Sequence, residues 1–136
     1  MKKILWIGLF LLVSCGQHTY EKVTKVYSSG NPEIILLCEE GSDEIIYQKV
    51  MFDNQSIKIE GALEAGEKDG LWISYYDDGQ IWTKNTYKSG VLEGSYEMFN
   101  RNGKPKLEGH YKAGKESGIW KVYDENGKFI EERLMD

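Results

Sequence analysis

Residues 66–79 read GEKDGLWISYYDDG, and the pattern returns as GVLEGSYEMFNRNG at residues 90–103 and as GKESGIWKVYDENG at residues 114–127. A fixed spacing of 24 residues separates the members of five columns. The columns are Gly66, Gly90, Gly114; Gly70, Gly94, Gly118; Trp72, Tyr96, Trp120; Tyr75, Phe99, Tyr123; and Gly79, Gly103, Gly127. Such a period marks a unit that stacks on its neighbours, because one unit is too small to bury its own apolar face. We therefore expect residues 57–136 to form a regular repeat array.

Each cycle ends in an Asx-Gly pair, as in Asp78-Gly79. This pair is a strong hairpin signal, because both residues tolerate the positive φ of tight turns. The flanking segments 71–76 and 80–87 are rich in β-branched and aromatic residues and predict strands. A second connection, bounded by glycines at residues 65–70, predicts an exposed loop. The fold class expected is therefore all-β, an antiparallel hairpin array forming an elongated, twisted meander sheet.

The two aromatic columns are the candidate core. Trp72 and Tyr75 are three residues apart, so in a regular strand their side chains point to opposite faces. Either a β-bulge lies between them or both faces of the sheet carry an aromatic row.

Residues 22–56 are expected to be degenerate copies of the same hairpin. The segment 51–57 aligns with residues 75–81, with Gln55 in place of the turn glycine. A first hairpin is expected around Gly30, followed by a loop at residues 39–43. Cys38 follows an apolar run and is expected to be a small buried side chain.

The beginning of the chain has a different character. Lys2 and Lys3 precede an apolar run at residues 4–13, which is shorter than the about 20 residues that a membrane-spanning helix needs. This order is typical of a secretory signal peptide. Residues 12–15, Leu-Val-Ser-Cys, resemble the bacterial lipobox, whose cysteine is lipidated; the alternative is a plain signal peptide with an incidental cysteine. We expect a signal peptide at residues 1–14, lipidation of Cys15, a tether at residues 15–21, and a location at the bacterial cell envelope, in the outer membrane of a Gram-negative cell.

Net charge limits the possible partners. The formal charge is −5, and removal of Lys2 and Lys3 with the signal peptide moves it to −7. An acidic body disfavours nucleic acid and anionic lipid surfaces. Contact with the membrane would then be through the lipid alone.

No catalytic or cofactor motif is evident. His18 and His110 have no second histidine at metal-ligand spacing. The acidic turns lack the ligand spacing of an EF-hand, and the glycine-bounded connections lack the ending of a phosphate-binding loop. We expect no catalytic residues, no metal and no cofactor. Glu131, Glu132 and Arg133 place charges on the last strand, a pattern that disfavours association between sheets.

The repeat Tyr-Lys-x-Gly-x-x-x-Gly-x-Trp/Tyr-x-x-Tyr/Phe-x-x-Asx-Gly-Lys, read from Tyr87 and again from Tyr111, resembles the variant MORN repeat of the YwqK-like family. The resemblance is close over residues 57–131 and loose over residues 20–56. It implies an antiparallel hairpin array without enzymatic activity. Members of this family are often described as antitoxins. A lipoprotein cannot neutralise a cytoplasmic toxin, so the resemblance translates here into an immunity-like role against a toxin met outside the cytoplasm.

Recognition in a repeat array falls to the residues that do not recur. Trp82 is the candidate aromatic anchor, because large aromatic residues dominate binding hot spots. The other strand candidates lie on the predicted water-facing side of the sheet and are Lys84, Lys106, Glu108 and His110. The candidates in the expected loops are Glu67, Lys68, Asp69, Lys115 and Glu116. A protein partner is the leading hypothesis. Glycan binding through an exposed Trp82, a purely architectural envelope role and, last, an enzyme are the alternatives.

Overall fold

The computed structural model describes residues 18–136. These residues form one open, ten-stranded antiparallel sheet whose strand order follows the chain. The strands are β1 (Thr19–Val26), β2 (Pro32–Glu39), β3 (Ile45–Met51), β4 (Ile57–Glu64), β5 (Glu67–Tyr75), β6 (Ile81–Lys88), β7 (Val91–Phe99), β8 (Pro105–Lys112), β9 (Lys115–Tyr123) and β10 (Phe129–Met135). The predicted all-β hairpin array is thus confirmed. No helix able to cross a membrane occurs within the described residues.

Five equivalent turns join β1 to β2, β3 to β4, β5 to β6, β7 to β8, and β9 to β10. In each turn the first residue makes two backbone hydrogen bonds. Its N–H donates to the carbonyl of the residue four positions later, and its carbonyl accepts a bond from the N–H of the residue three positions later. The residues that make both bonds are Tyr27, Phe52, Tyr76, Asn100 and Asp124. The hairpins at residues 27–31 and 52–56 therefore share the geometry of the regular ones. Gln55 adopts φ 69°, the left-handed conformation that Gly79 has at φ 86°.

The Asx-Gly pairs mark these turns for a different reason from the one expected. The glycine alone of each pair has positive φ. In two of the three pairs the Asx side chain instead closes the turn: Asp78 Oδ1 accepts a bond of 3.0 Å from the Gln80 N–H, and Asn102 Oδ1 accepts one of 3.0 Å from the Lys104 N–H. In the third turn, Asp124 Oδ1 accepts the bond from the Lys128 N–H (2.9 Å). The position of the hairpins was right, and the role given to the Asx residue was wrong.

The second connection is much shorter than predicted. It consists of two residues, both with positive φ, as in Ala65 (50°) and Gly66 (82°), and it recurs at residues 89–90 and 113–114. Two successive positive φ values define the tight turn that best matches the twist of the flanking strands. The expectation of a loop over residues 65–70 was therefore wrong. Glu67, Lys68, Asp69, Lys115 and Glu116 lie in strands, not loops.

Both faces of the sheet carry aromatic residues. No extra residue occurs in β5 between Trp72 and Tyr75, whose partners in β6 are Asn85 and Ile81. We call the side with Trp72 the tryptophan face, because Trp72, Tyr87, Tyr96, Tyr111 and Trp120 pack there. The opposite side is the charged face, whose central register row is Glu60, Ile73, Lys84, Glu97, Glu108, Lys121 and Glu132.

The buried core lies on the tryptophan face. Trp72 and Trp120 are 1% and 2% exposed, and Cys38 is buried in β2 as expected. Tyr96 of the same column is half-buried. The second column, Tyr75, Phe99 and Tyr123, is also half-buried and lies on the charged face, so its assignment to the core was wrong. A single-layer sheet leaves this face open to water, and the hydroxyls of Tyr75 and Tyr123 donate to Glu60 (2.8 Å) and Glu108 (2.7 Å).

At the amino end, β1 begins at Thr19, within the range 15–21 expected to be a tether. Thr19, Tyr20 and Glu21 pair with β2 instead, because their backbone groups complete its ladder. The expected signal peptide and lipidated Cys15 lie outside the described residues.

Candidate functional site

Trp82 lies at a β-bulge. In β6, Thr83 pairs with Ser74 and Ile81 pairs with Tyr75, which leaves Trp82 as the extra residue between them. Equivalent bulges occur in β2, β4, β8 and β10, where the extra residues are Glu33, Lys58, Lys106 and Ile130. A bulge redirects a side chain relative to a regular strand. Among these five equivalent positions, one carries an aromatic ring.

The ring of Trp82 forms one wall of a concave groove of about 610 Å³. It packs against Tyr76, with the ring centroids 6.1 Å apart and the planes tilted by 39°. Trp82 remains 44% exposed, whereas Trp72 and Trp120 are buried. The groove, called here the Trp82 groove, is lined by Phe52, Lys58, Ile59, Ser74, Tyr75, Tyr76, Asp77, Trp82 and Arg101.

The charges around the groove are largely paired. The Arg101 guanidinium lies 4.6 Å from the centre of the Tyr76 ring and donates to Asp77 (2.7 Å) and Asp78 (2.8 Å). A hydrogen bond from the Gln80 N–H and, to a smaller extent, one from Arg101 lower the pKa of the Asp78 carboxyl. Lys58 lies 5.5 Å from the centre of the Phe52 ring. Two cations and two carboxylates thus balance one another, so the groove suits a ligand without net charge.

Hydrogen bonds between successive hairpins hold the groove in shape. The Tyr76 hydroxyl donates to the carbonyl of Phe99 (3.0 Å), and the Asn54 side chain donates to the carbonyl of Asp77 (2.9 Å). Because these bonds join the hairpin tips on both sides of the groove, its walls are positioned before any ligand arrives.

A protein-family model described as the MORN repeat variant matches residues 68–89, 92–113 and 116–135. The chain carries three MORN repeats. Each matched segment coincides with one hairpin, β5 with β6, β7 with β8, and β9 with β10. Comparison with the curated proteins found no match, and neither did comparison with the solved structures. MORN repeat proteins are generally binding modules rather than enzymes.

The Trp82 groove draws on more than one MORN repeat. Trp82 and Tyr76 belong to the first matched repeat, and Arg101 belongs to the second. Phe52 and Lys58 come from the hairpin that precedes the matched segments. The site therefore exists only where three successive hairpins stack.

The polar residues expected to join Trp82 lie elsewhere on the MORN array. Lys84 and Glu108 occupy the central row of the charged face, where Lys84 lies 3.4 Å from Glu97. His110 is exposed in β8, and Lys106 lies at the next bulge. The groove, by contrast, includes Ser74 and Ile59, which share a register row with Thr83 on the tryptophan face. The groove also includes Tyr75 of the charged face, but none of the polar residues expected beside Trp82 lines it.

The strand residues first taken for loop residues serve the MORN fold. Asp69 accepts the Ser89 N–H (3.1 Å), which joins two adjacent tight turns. The Lys68 ammonium lies 4.2 Å from the centre of the Trp72 ring and 4.9 Å from that of Tyr87. Burial lowers the pKa of Lys68. Both side chains are occupied by contacts within the sheet.

Sequence reasoning missed Phe52, Tyr76 and Arg101. A signal was present for the first two, because Tyr27, Phe52 and Tyr76 are aromatic residues at equivalent turn positions. Nothing in the sequence connected Arg101 with Tyr76, since the two belong to different repeats. Within residues 18–136, no group of histidine, cysteine and carboxylate side chains is arranged to hold a metal ion.

Proposed function

We propose that this chain is a non-enzymatic binding module that recognises its partner through the Trp82 groove. The observation that carries the proposal is the exposed indole of Trp82 in an aromatic concavity, at a bulge where the other hairpins carry Glu33, Lys58, Lys106 and Ile130. An exposed aromatic ring in a preformed concave site favours ligand binding over a purely architectural role.

A protein is the partner that the groove suits best. Trp, Tyr and Arg are the residues most enriched in binding hot spots, and Trp82, Tyr76 and Arg101 lie together here. Because Arg101 is already bound to Asp77 and Asp78, it offers its planar surface rather than a free charge. A neutral side chain with substantial apolar area, presented by a protein loop or peptide, would cover Trp82 without burying an unpaired charge.

The setting that we propose is the bacterial cell envelope, with Cys15 lipidated and the array near the bilayer. The lipobox-like residues 12–15 support this setting. Residues 16–18 separate Cys15 from the start of β1. The partner would then be a protein of the envelope or one arriving from outside, and a toxin met there would make the role immunity-like. Metabolic labelling with a fatty-acid probe tests the anchor: Cys15→Ser should abolish the label, and a retained label would exclude lipidation at this residue.

Glycan binding is the second candidate, favoured by one observation. The exposed Trp82 ring adjoins the polar side chains of Ser74 and Asp77, so a sugar could stack on the ring while its hydroxyls bond to them. If the ligand is instead an apolar protein side chain, the Ser74 and Asp77 side chains stay hydrated.

Pull-down from detergent-solubilised envelope tests the proposal with three forms of the protein: wild type, Trp82→Ala and Leu71→Ala. Leu71 is a matched control, because it is an exposed apolar residue (51%) outside the groove. The expected result is a protein recovered by wild type and Leu71→Ala whose binding, once it is purified, weakens at least about tenfold with Trp82→Ala. Equal recovery by all three forms would contradict the proposal. Binding to immobilised glycans that depends on Trp82 would instead support the second candidate.

A further inference from the structure

Three aromatic residues occupy equivalent positions at successive hairpin turns. Tyr27, Phe52 and Tyr76 are the first residues of the turns that join β1 to β2, β3 to β4 and β5 to β6. All three residues are half-buried, so part of each ring stays accessible. The next two turns begin with Asn100 and Asp124, so the series ends beside the Trp82 groove. We call the rings of Tyr27, Phe52 and Tyr76 the aromatic ladder.

Both tyrosines of the aromatic ladder reach the next hairpin in the same way. The Tyr27 hydroxyl donates to the carbonyl of Met51 (2.8 Å), and the Tyr76 hydroxyl donates to that of Phe99 (3.0 Å). Met51 and Phe99 each come directly before the first residue of a turn. Because these bonds fix the two rings in equivalent positions, the ladder follows the period of the hairpins.

The spacing of the aromatic ladder matches one peptide conformation. Equivalent turns are separated by two strands, which is about 9.6 Å along the sheet. A polyproline II helix has three residues per turn and rises about 3.1 Å per residue, so every third residue returns to the same side after about 9.3 Å. A peptide of this conformation lying across the strands would therefore present positions i, i+3 and i+6 to successive rings of the ladder.

The free polar groups of the Trp82 groove are mainly hydrogen-bond donors. Arg101 donates to Asp77 and Asp78 from Nη1 alone, so its Nε–H and two Nη2–H groups have no acceptor within the described part of the chain. The same holds there for the indole N–H of Trp82 and the ammonium of Lys58. The carboxylate in the lining, Asp77, already accepts from Arg101. This arrangement favours a neutral ligand that accepts hydrogen bonds and donates few.

We propose that the Trp82 groove binds a proline-rich peptide in the polyproline II conformation, an inference that rests on the binding role proposed above. Proline has no N–H, so the bound peptide leaves no buried donor unsatisfied. Its carbonyls make no bonds within the peptide and can accept from Arg101 and Trp82. Its rings supply apolar surface for the aromatic walls. A glycan fits this set of groups less well, because its hydroxyls donate as well as accept.

The aromatic ladder defines where the peptide lies. One proline packs against Tyr76 and Trp82, whose ring planes are tilted by 39°. The proline three positions away packs against Phe52, and a third one reaches Tyr27, beyond the groove lining. Arg101 lies in the turn on the other side of Tyr76 and meets the carbonyls next to the first proline.

The first test measures the binding of a fluorescently labelled nonaproline peptide to the full-length chain in detergent, by fluorescence anisotropy. Trp82→Ala should raise the Kd at least about tenfold, and Phe52→Ala at least about threefold. Arg101→Lys keeps the charge but loses the planar set of donors, so it should also weaken binding. Leu71→Ala changes an exposed residue outside the groove and should leave the Kd unchanged.

The second test changes the peptide and keeps the wild-type protein, so it does not depend on the folding of a variant. Two end-blocked heptapeptides of the same composition compete with labelled nonaproline. Pro-Ala-Ala-Pro-Ala-Ala-Pro has a proline at every third position, whereas Pro-Ala-Ala-Ala-Pro-Ala-Pro does not. The first should compete at least about threefold better, because its prolines match the aromatic ladder.

Three outcomes would overturn this inference: no binding of nonaproline to wild type at millimolar concentration, binding that Trp82→Ala leaves unchanged, or equal competition by the two heptapeptides. The binding role itself is tested separately by the envelope pull-down described above. A partner recovered there that depends on Trp82 but is not displaced by nonaproline would retain the binding role and exclude a proline-rich ligand. Displacement of that partner by nonaproline would support both.

Discussion

At the residue scale, the size of the residue on the neighbouring strand decides whether tryptophan or tyrosine occupies the column of Trp72, Tyr96 and Trp120. Gly61 pairs with Trp72, and a Cβ at Gly61 would lie 2.4 Å from that ring. A Cβ at Gly109 would lie 2.2 Å from the ring of Trp120. In the repeat between them, Asn85 pairs with the smaller Tyr96. A glycine therefore lets the larger indole lie flat on the strand and become buried.

Trp120→Ala should lower the free energy of unfolding by about 3–5 kcal/mol, because it removes a buried indole and leaves a cavity. Denaturant unfolding measures the change. Trp82→Ala is the control: its ring is 44% exposed, so we expect a loss of less than about 1 kcal/mol. Equal losses for the two variants would show that the tryptophan face is not the core.

Gly109→Ala should destabilise the fold by about 1–3 kcal/mol, because the new methyl group must displace the Trp120 ring. Adding Trp120→Tyr to this variant should recover part of the loss, since the smaller ring reproduces the space available at Asn85 and Tyr96. The same unfolding experiment compares the single and double variants. A neutral Gly109→Ala substitution would contradict the close packing seen here.

Two tyrosines on the charged face should make stability depend on alkaline pH. Burial, together with Glu60, raises the pKa of Tyr75 and of Tyr47 from 10.0 to about 12. Because the folded pKa lies above the unfolded one, their contribution to stability is complete below pH 10 and is lost as the pH rises through about 12. Tyrosinate absorbance measures the titration. Glu60→Gln should lower both pKa values towards 10, and unchanged titration would exclude a role for the Glu60 charge.

At the scale of the element, the hairpin turn depends on one left-handed residue. Glycine adopts this conformation readily, whereas a residue with a side chain is strained there by roughly 1–2 kcal/mol. Four of the five equivalent turns have glycine at the position, and the hairpin between β3 and β4 has Gln55. The hairpin still forms because the Ser56 N–H donates to Asn54 Oδ1 (2.9 Å) and the Ser56 hydroxyl donates to the carbonyl of Asp77 (3.0 Å).

Gln55→Gly should stabilise the protein by about 0.5–1 kcal/mol, because relief of strain outweighs the greater freedom of glycine in the unfolded chain. The reverse change, Gly79→Gln, should destabilise it by a similar or larger amount. Both variants are compared with wild type by denaturant unfolding. A destabilising Gln55→Gly would mean that the glutamine side chain contributes contacts that offset its backbone strain.

At the scale of the whole molecule, stability should vary along the sheet. Strands pair with their neighbours in sequence, so each hairpin relies on the adjacent ones. The buried tryptophans belong to β5 and β9, whereas the buried apolar residues of the first three strands are Cys38 and Met51. The amino-terminal strands therefore bury less apolar surface in large side chains.

Hydrogen exchange followed by mass spectrometry should show this gradient. We expect amides of β1 and β2 to exchange faster than those of β5 to β8, because openings of the amino-terminal hairpin break fewer large apolar contacts. Trp72→Ala should accelerate exchange in β4 to β6 more than in β9. Uniform protection from β1 to β9, or equal acceleration everywhere, would indicate that the sheet opens as one unit.

The sequence by itself determined the repeat length, the hairpin positions and the all-β class, because turn glycines and alternating strands act over a few residues. The tertiary structure alone decided which face holds the core and which residues surround Trp82. A bulge adds one residue to one strand of a pair, so it is a property of two paired strands. The residue pattern of β6 alone therefore does not predict it. The Trp82 groove likewise needs Phe52, Tyr76 and Arg101 from three hairpins, which come together only when the repeats stack.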